Sequence, residues 1–156
     1  MHLLFVCTGN TCRSPMAEAI ARRLASERGL VDLVVGSAGT SAWENAPASD
    51  GALLVALEHG LDLNGHRARV LSREIVADAD LILVMSAHHR DRATVLGGDA
   101  RTHLLTDYAA RSSDGRPVLD PFGGDLDTYR ETYTELERTI GLVFDRIMRE
   151  RTVEGA

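Results

Sequence analysis

Cys7, Arg13 and Ser14 stand together in the stretch Cys7-Thr8-Gly9-Asn10-Thr11-Cys12-Arg13-Ser14-Pro15. The types and their spacing suit one kind of chemistry. A thiolate is the nucleophilic form of cysteine, and a helix N-terminus or an adjacent cation favours it over the thiol. Arg13 supplies the cation, with a planar fork that grips two phosphate oxygens at once. The Ser14 hydroxyl can donate to the thiolate, steadying it as nucleophile and later as leaving group. Gly9 lets the loop bend without a Cβ in the way, and Asn10 tolerates the left-handed backbone a tight loop needs. The pieces add up to a nucleophile under a phosphate cradle.

That cradle needs a strand to deliver it and a helix to close it. Leu3-Leu4-Phe5-Val6 is an apolar β-type run ending at Cys7. Ser14 reads as the helix N-cap and Pro15 as the first helical residue. Behind them Ala17, Ile20, Ala21, Leu24 and Ala25 repeat at helical spacing, which makes one helix face core. A strand–loop–helix unit of this kind aims backbone N–H groups and a helix dipole at one point, a ready-made anion site. A zinc site fits poorly, because Cys7 and Cys12 have no matching second pair of ligands. A buried core cysteine closing a strand is the bland alternative, and it leaves Gly9, Arg13 and Ser14 without a purpose.

Along the rest of the chain, Gly29 reads as the stop of the first helix. Leu33-Val34-Val35 reads as a second strand running into Gly36-Ser37-Ala38-Gly39-Thr40, whose small residues let the chain pass close beside the first loop. Trp43 follows among turn formers, as either a surface aromatic or a pocket wall. Ala52 to His59 is a helical stretch with Leu53, Ala56 and Leu57 facing inward and Gly60 as its stop. Asn64-Gly65 marks a turn, and His66 after it reads as a structural hydrogen-bonder. Ser72 to Ala79 is a short helix. Leu81-Ile82-Leu83-Val84-Met85 is apolar throughout, as a buried parallel strand is. Ser86 to Leu96 reads as a helix whose His88-His89-Arg90-Asp91-Arg92 run is a solvated face, ended by Gly97-Gly98. Thr102 to Leu105 is a fourth strand, and Arg111 to Pro117 a polar turn. A last helix spans about Thr128 to Arg149, with Tyr129, Tyr133, Leu136, Ile140, Val143, Phe144 and Ile147 inward. Strands alternating with helices predict a parallel sheet covered on both faces, with its ligand at the carboxyl ends of the strands.

A chain of 156 residues with 44% hydrophobic content holds one domain, residues 1–156, with a real core. A net charge of −6 argues against a general nucleic-acid or anionic-membrane binder. All 17 basic residues are arginine. No apolar run approaches membrane-spanning length, and Leu3 to Val6 is too short for a signal peptide. Two cysteines without a leader predict a reducing cytoplasm.

Cys7-Thr8-Gly9-Asn10-Thr11-Cys12-Arg13-Ser14-Pro15, Ser37-Ala38-Gly39-Thr40 and Asp120-Pro121-Phe122 resemble, in order and spacing over nearly the whole chain, the low-molecular-weight protein tyrosine phosphatases. The resemblance implies a three-layer α/β fold around a four-stranded parallel sheet of order 2-1-3-4. It implies phosphorylated proteins as partners, a monomer, and neither metal nor organic cofactor. It gives Cys7 the attack on phosphorus, and the phosphoryl oxygens to Arg13 and the loop from Thr8, Gly9, Asn10, Thr11 and Cys12 to Ser14. It implies that Asp120 protonates the leaving group and then takes a proton from water. A positioned acid is worth roughly 10²–10⁴-fold, because an alkoxide or amine leaves poorly unless protonated. The resemblance further implies that Asn10, Ser37 and His66 form a network holding the loop, that Trp43 and Phe122 support the site, and that Cys12 forms a reversible disulfide with Cys7.

Thr11 and the Phe122-Gly123-Gly124 sequence are similar to the bacterial protein-arginine phosphatases, since tyrosine-specific members carry a bulky aliphatic residue and paired aromatics there. Trp43 points the other way, towards phosphotyrosine. Arsenate reductases share the Cys-x5-Arg loop but add downstream cysteines, and none follows Cys12. A silent phosphate-binding module would need neither Cys7 nor Asp120.

Overall fold

The computed structural model describes residues 1–155. Four strands, β1 (His2–Cys7), β2 (Val34–Gly39), β3 (Leu81–Val84) and β4 (Thr102–Leu104), form one parallel sheet in the order β2-β1-β3-β4. The expected order 2-1-3-4 is the observed one. Alternation along each strand sends its side chains to two faces. Leu3, Phe5, Leu81 and Leu83 enter one core, and Leu4, Val6, Ile82 and Val84 enter the other. This explains the unbroken apolar runs: both faces are covered.

The larger core lies under α1 (Arg13–Glu27), α2 (Asp50–Glu58), α5 (Leu105–Ala110) and α6 (Leu126–Gly155), and the smaller under α3 (Arg73–Asp78) and α4 (Ala87–Ala93). The whole expected stripe of α6, from Tyr129 to Ile147, is buried. β1 is central, and the chain moves from it to β2 on one side and β3 on the other. The loop leaving β1 therefore lies where the strand order reverses, at the carboxyl ends of the strands.

The open edge of the sheet, β2, is not left bare. Arg22 Nη2 donates to the Val35 carbonyl at 3.0 Å and Arg69 Nε to the Ser37 carbonyl at 2.8 Å. The Leu71 N–H donates to the Gly39 carbonyl at 2.8 Å.

Several local readings are corrected. α1 begins at Arg13, with Cys12 in the cap position and no side-chain cap, so Ser14 is inside the helix. Its hydroxyl is engaged elsewhere, as described below. β2 starts at Val34 and takes in Gly36 to Gly39, because pairing with β1 recruits the small residues into the ladder. Leu57 is 67% exposed, and Val55 fills the inward position on α2. β4 stops at Leu104, and α5 takes up Leu105, the last residue of the expected strand, and fills the span up to the expected turn at Arg111. α4 ends at Ala93, followed by a wider turn over Thr94–Gly98.

Candidate active site

The hydroxyl of Ser14 lies 2.9 Å from Cys7 Sγ at the end of β1. A chain of fixed donors decides which way its proton points. The Glu18 carboxylate only accepts, so Ser37 Oγ donates to Glu18 Oε1 at 2.8 Å. Asn10 Nδ2 then spends both protons as a donor, on Ser37 Oγ at 2.9 Å and Ser14 Oγ at 2.7 Å. Ser14, already accepting, is left to donate to the sulfur. Asn10 is buried at φ 55, the left-handed conformation expected of it. Its Oδ1 accepts from the Arg69 N–H at 3.0 Å, and its carbonyl accepts from His66 Nε2 at 2.7 Å. The structure thus brings together Asn10, Ser14, Ser37 and His66, and adds Glu18.

Gly39 is where the small residues of β2 matter. A Cβ there would stand 2.5 Å from the Thr8 carbonyl oxygen and 2.9 Å from the Asn10 nitrogen, so β2 and the loop can lie this close only with glycine. Gly9 is different: a Cβ would meet Thr11 Oγ1 at an ordinary 3.4 Å, and the left-handed turn falls on Asn10. The bend does not depend on Gly9 lacking a side chain.

Arg13 is 5% exposed. Its Nη1 donates to the Val118 carbonyl at 2.8 Å, and Nη2 lies 3.6 Å from Asp120 Oδ2. Its Nε has no hydrogen-bond partner among the described residues. A buried guanidinium with an unpaired Nε–H, beside a helix start with no side-chain cap, is a donor set awaiting an anion. Asp120 is half exposed, and its Oδ1 accepts from the Phe122 N–H at 3.0 Å, which shapes the turn that carries it. Leu119 and Phe122 flank it, each 74% exposed, and Trp43 is 84% exposed. Both aromatics therefore sit at the surface rather than in the core.

Cys7 and Cys12 are both free thiols and both buried. Cys12 Sγ lies 3.2 Å from Ser49 Oγ and 3.4 Å from Tyr129 Oη. Burial, with the hydrogen bond to Cys12 adding, pushes the Tyr129 hydroxyl up from its ordinary value. Thr11 is half-buried, its Oγ1 3.8 Å from Cys12 Sγ.

One residue of the site contradicts its sequence reading outright. His89 is not on a solvated face: it is fully buried, with Nε2 2.8 Å from Thr8 Oγ1 and Nδ1 3.1 Å from Ser86 Oγ. Burial, helped by the neighbouring His88 and Arg13 charges, pushes its pKa down to about 3, so the ring is neutral. The signal that finds it is positional. α4 starts just past the carboxyl end of β3, which lies beside the end of β1, so the first turn of α4 faces the loop. Tyr129, Ser49 and Glu18 were likewise absent from the predicted site: periodicity puts Tyr129 in the core stripe, and no local motif marks Ser49 or Glu18. No cluster of potential metal ligands occurs among the described residues.

The sequence pattern described as low molecular weight phosphotyrosine protein phosphatase matches residues 2–153. The protein-arginine-phosphatase of Bacillus subtilis (strain 168) is 37% identical over 151 residues, covering 97% of this chain and 99% of its own length. The low molecular weight protein-tyrosine-phosphatase PtpB of Staphylococcus haemolyticus is 37% identical over 142 residues, covering 90% of this chain and 96% of its own. Among solved structures, the YwlE arginine phosphatase, as a cysteine-to-serine mutant with a phosphorylated active site serine, superimposes with a TM-score of 0.91 at 36% identity, covering 97% of this chain and 99% of that one. Fold, loop and full-length similarity converge: the chain belongs to the low molecular weight phosphotyrosine protein phosphatase family.

Proposed function

We propose that this chain hydrolyses phosphorylated protein side chains through a phosphocysteine, with phosphoarginine as the preferred substrate. The observation that carries the reading is the loop itself: Cys7 Sγ under a Ser14 donor at 2.9 Å, beside a buried Arg13 whose fork reaches Asp120 at 3.6 Å. The Cys7 thiolate attacks phosphorus, and the P–N bond breaks as the Asp120 carboxyl gives its proton to the departing guanidine nitrogen. Arg13 and the loop N–H groups, with the open N-terminus of α1, hold the phosphoryl oxygens as charge redistributes. Water then attacks phosphorus with Asp120 accepting its proton, Cys7 leaves as thiolate, and inorganic phosphate departs. Ser14 stabilises the sulfur anion at both ends of this cycle.

Thr11, with a hydroxyl on the loop where phosphotyrosine-specific relatives offer an aliphatic wall, supports the arginine preference. A phosphotyrosine reading is supported by the exposed Trp43 beyond β2, a face on which a phenol can stack. Turnover of matched phosphoarginine and phosphotyrosine peptides, measured side by side, tests the proposal. A higher kcat/KM on phosphoarginine, abolished in Cys7→Ser, is the expected result. A preference for phosphotyrosine removes the arginine assignment, and activity surviving in Cys7→Ser removes the phosphocysteine.

A further inference from the structure

The loop after β1 is braced from one side by β2, where the Ser41 N–H donates to the Thr8 carbonyl at 2.9 Å and Gly39 packs directly against the loop backbone. Its other side faces β3 and the start of α4. There the contact is made by His89, a fully buried side chain whose Nε2 lies 2.8 Å from Thr8 Oγ1. Thr8 is the residue immediately after Cys7, so the orientation of its peptide governs where the first N–H groups of the loop point. Nothing in the hydrolysis described above uses His89.

We infer that His89 is a positioning residue: it grips the Thr8 hydroxyl and so fixes the first turn of the loop against β3, setting the loop's affinity for a phosphoryl group. The inference rests on the phosphatase reading of that loop.

The hydrogen bonds tie His89 at both ring nitrogens. A neutral imidazole has one N–H and one bare nitrogen. Ser86 Oγ stands 3.1 Å from His89 Nδ1 and 2.8 Å from His88 Nδ1. A neutral His89 satisfies both contacts in either of two ways: Nδ1 accepts from Ser86 while Nε2 donates to Thr8, or Nδ1 donates to Ser86 while Nε2 accepts from Thr8. In both arrangements the Nε2–Oγ1 hydrogen bond is made, at 2.8 Å. A protein without this bridge holds Thr8 by its carbonyl alone and lets the side of the loop facing β3 move. The burial of His89 supplies the rigidity, because a fully enclosed ring at the foot of α4 is held by close packing.

Four variants separate this from a purely structural role: Thr8→Val, His89→Leu, the double variant, and His89→Gln, whose amide keeps a donor near the Nε2 position. The readouts are the inhibition constant of inorganic phosphate, kcat and KM on an aryl phosphate, and the thermal midpoint. Thr8→Val and His89→Leu should each weaken phosphate inhibition roughly tenfold, as expected for one lost hydrogen bond to a loop that meets an anion. KM should rise more than kcat falls. The double variant should be no worse than the worse single variant, since both break one bridge, and His89→Gln should recover most of the loss. If His89→Leu does not fold, Thr8→Val breaks the same bond while leaving the core of α4 intact. Unchanged phosphate inhibition in a folded Thr8→Val protein overturns the inference, as do additive losses in the double variant. Failure of the wild type to turn over the aryl phosphate would instead overturn the phosphatase reading.

Discussion

In the proposed function, Thr11 is the residue on which substrate choice turns. A phosphoarginine brings planar N–H donors to the loop, where a phosphotyrosine brings an apolar ring. On that reading the threonine hydroxyl would pair with the former, and an isoleucine of similar bulk would leave those donors unmatched while suiting the ring. Exchanging one such contact is worth about 10–200-fold in relative kcat/KM. Thr11→Ile is therefore expected to shift the ratio of phosphoarginine to phosphotyrosine turnover by that order, with activity on an aryl phosphate retained, and a ratio that stays put refutes the role given to Thr11. Cys12 carries a different expectation. Peroxide converts Cys7 to its sulfenic acid, and attack by the Cys12 thiol on that sulfur expels water and closes a disulfide that dithiothreitol reopens. Wild-type activity should return after this cycle, whereas Cys12→Ser should progress to an inactive form that dithiothreitol does not rescue. Equal recovery of both proteins would count against the pairing.

Cys7, Arg13, Ser14 and Asn10 were legible as members of one loop because local spacing places them there, while the network of Asn10 with Ser37 and His66 was reached through family resemblance. His89 was not, because its place in a charged run reads as solvent-facing until the order of the sheet is known. The same contrast holds among elements. The four strands and the long stripe of α6 declared themselves through periodicity, and their order was reached only through family resemblance. The start of α1 did not declare itself, since Ser-Pro is a common helix opening. Here the serine hydroxyl serves Cys7 and Asn10 instead of the helix end, and the uncapped N–H groups remain for an anion. The approach of β2 to the loop gives an element-level test. In Gly39→Ala the new Cβ meets backbone atoms of Thr8 and Asn10 that cannot swing aside, at 2.5 and 2.9 Å. Overpacking of this kind costs about 1–3 kcal/mol. The thermal midpoint should fall and phosphate inhibition weaken together, and a loss of stability with phosphate affinity intact would show that the contact does not shape the loop.

At the scale of the whole molecule, buried His89 makes folding sensitive to acid. The unfolded chain takes up a proton near the ordinary histidine value of 6.5, while the folded chain resists until about 3. The unfolded state thus binds more protons across that interval, so stability from this group is intact above 6.5 and is lost as pH falls through the window. At pH 5 the loss is about 2 kcal/mol. Urea unfolding at pH 7 and pH 5 should show it in the wild type and a smaller change in His89→Gln; identical changes in both would assign the acid sensitivity elsewhere. The edge of the sheet carries a consequence of another kind. A strand with vacant carbonyls invites a neighbouring chain to extend the sheet. On β2 the carbonyls of Val35, Ser37 and Gly39 are already occupied by Arg22, Arg69 and the Leu71 N–H. An incoming strand would have to evict two guanidiniums and unzip a bridge before forming its first rung, so this edge is protected against strand-on-strand aggregation by groups from its own chain.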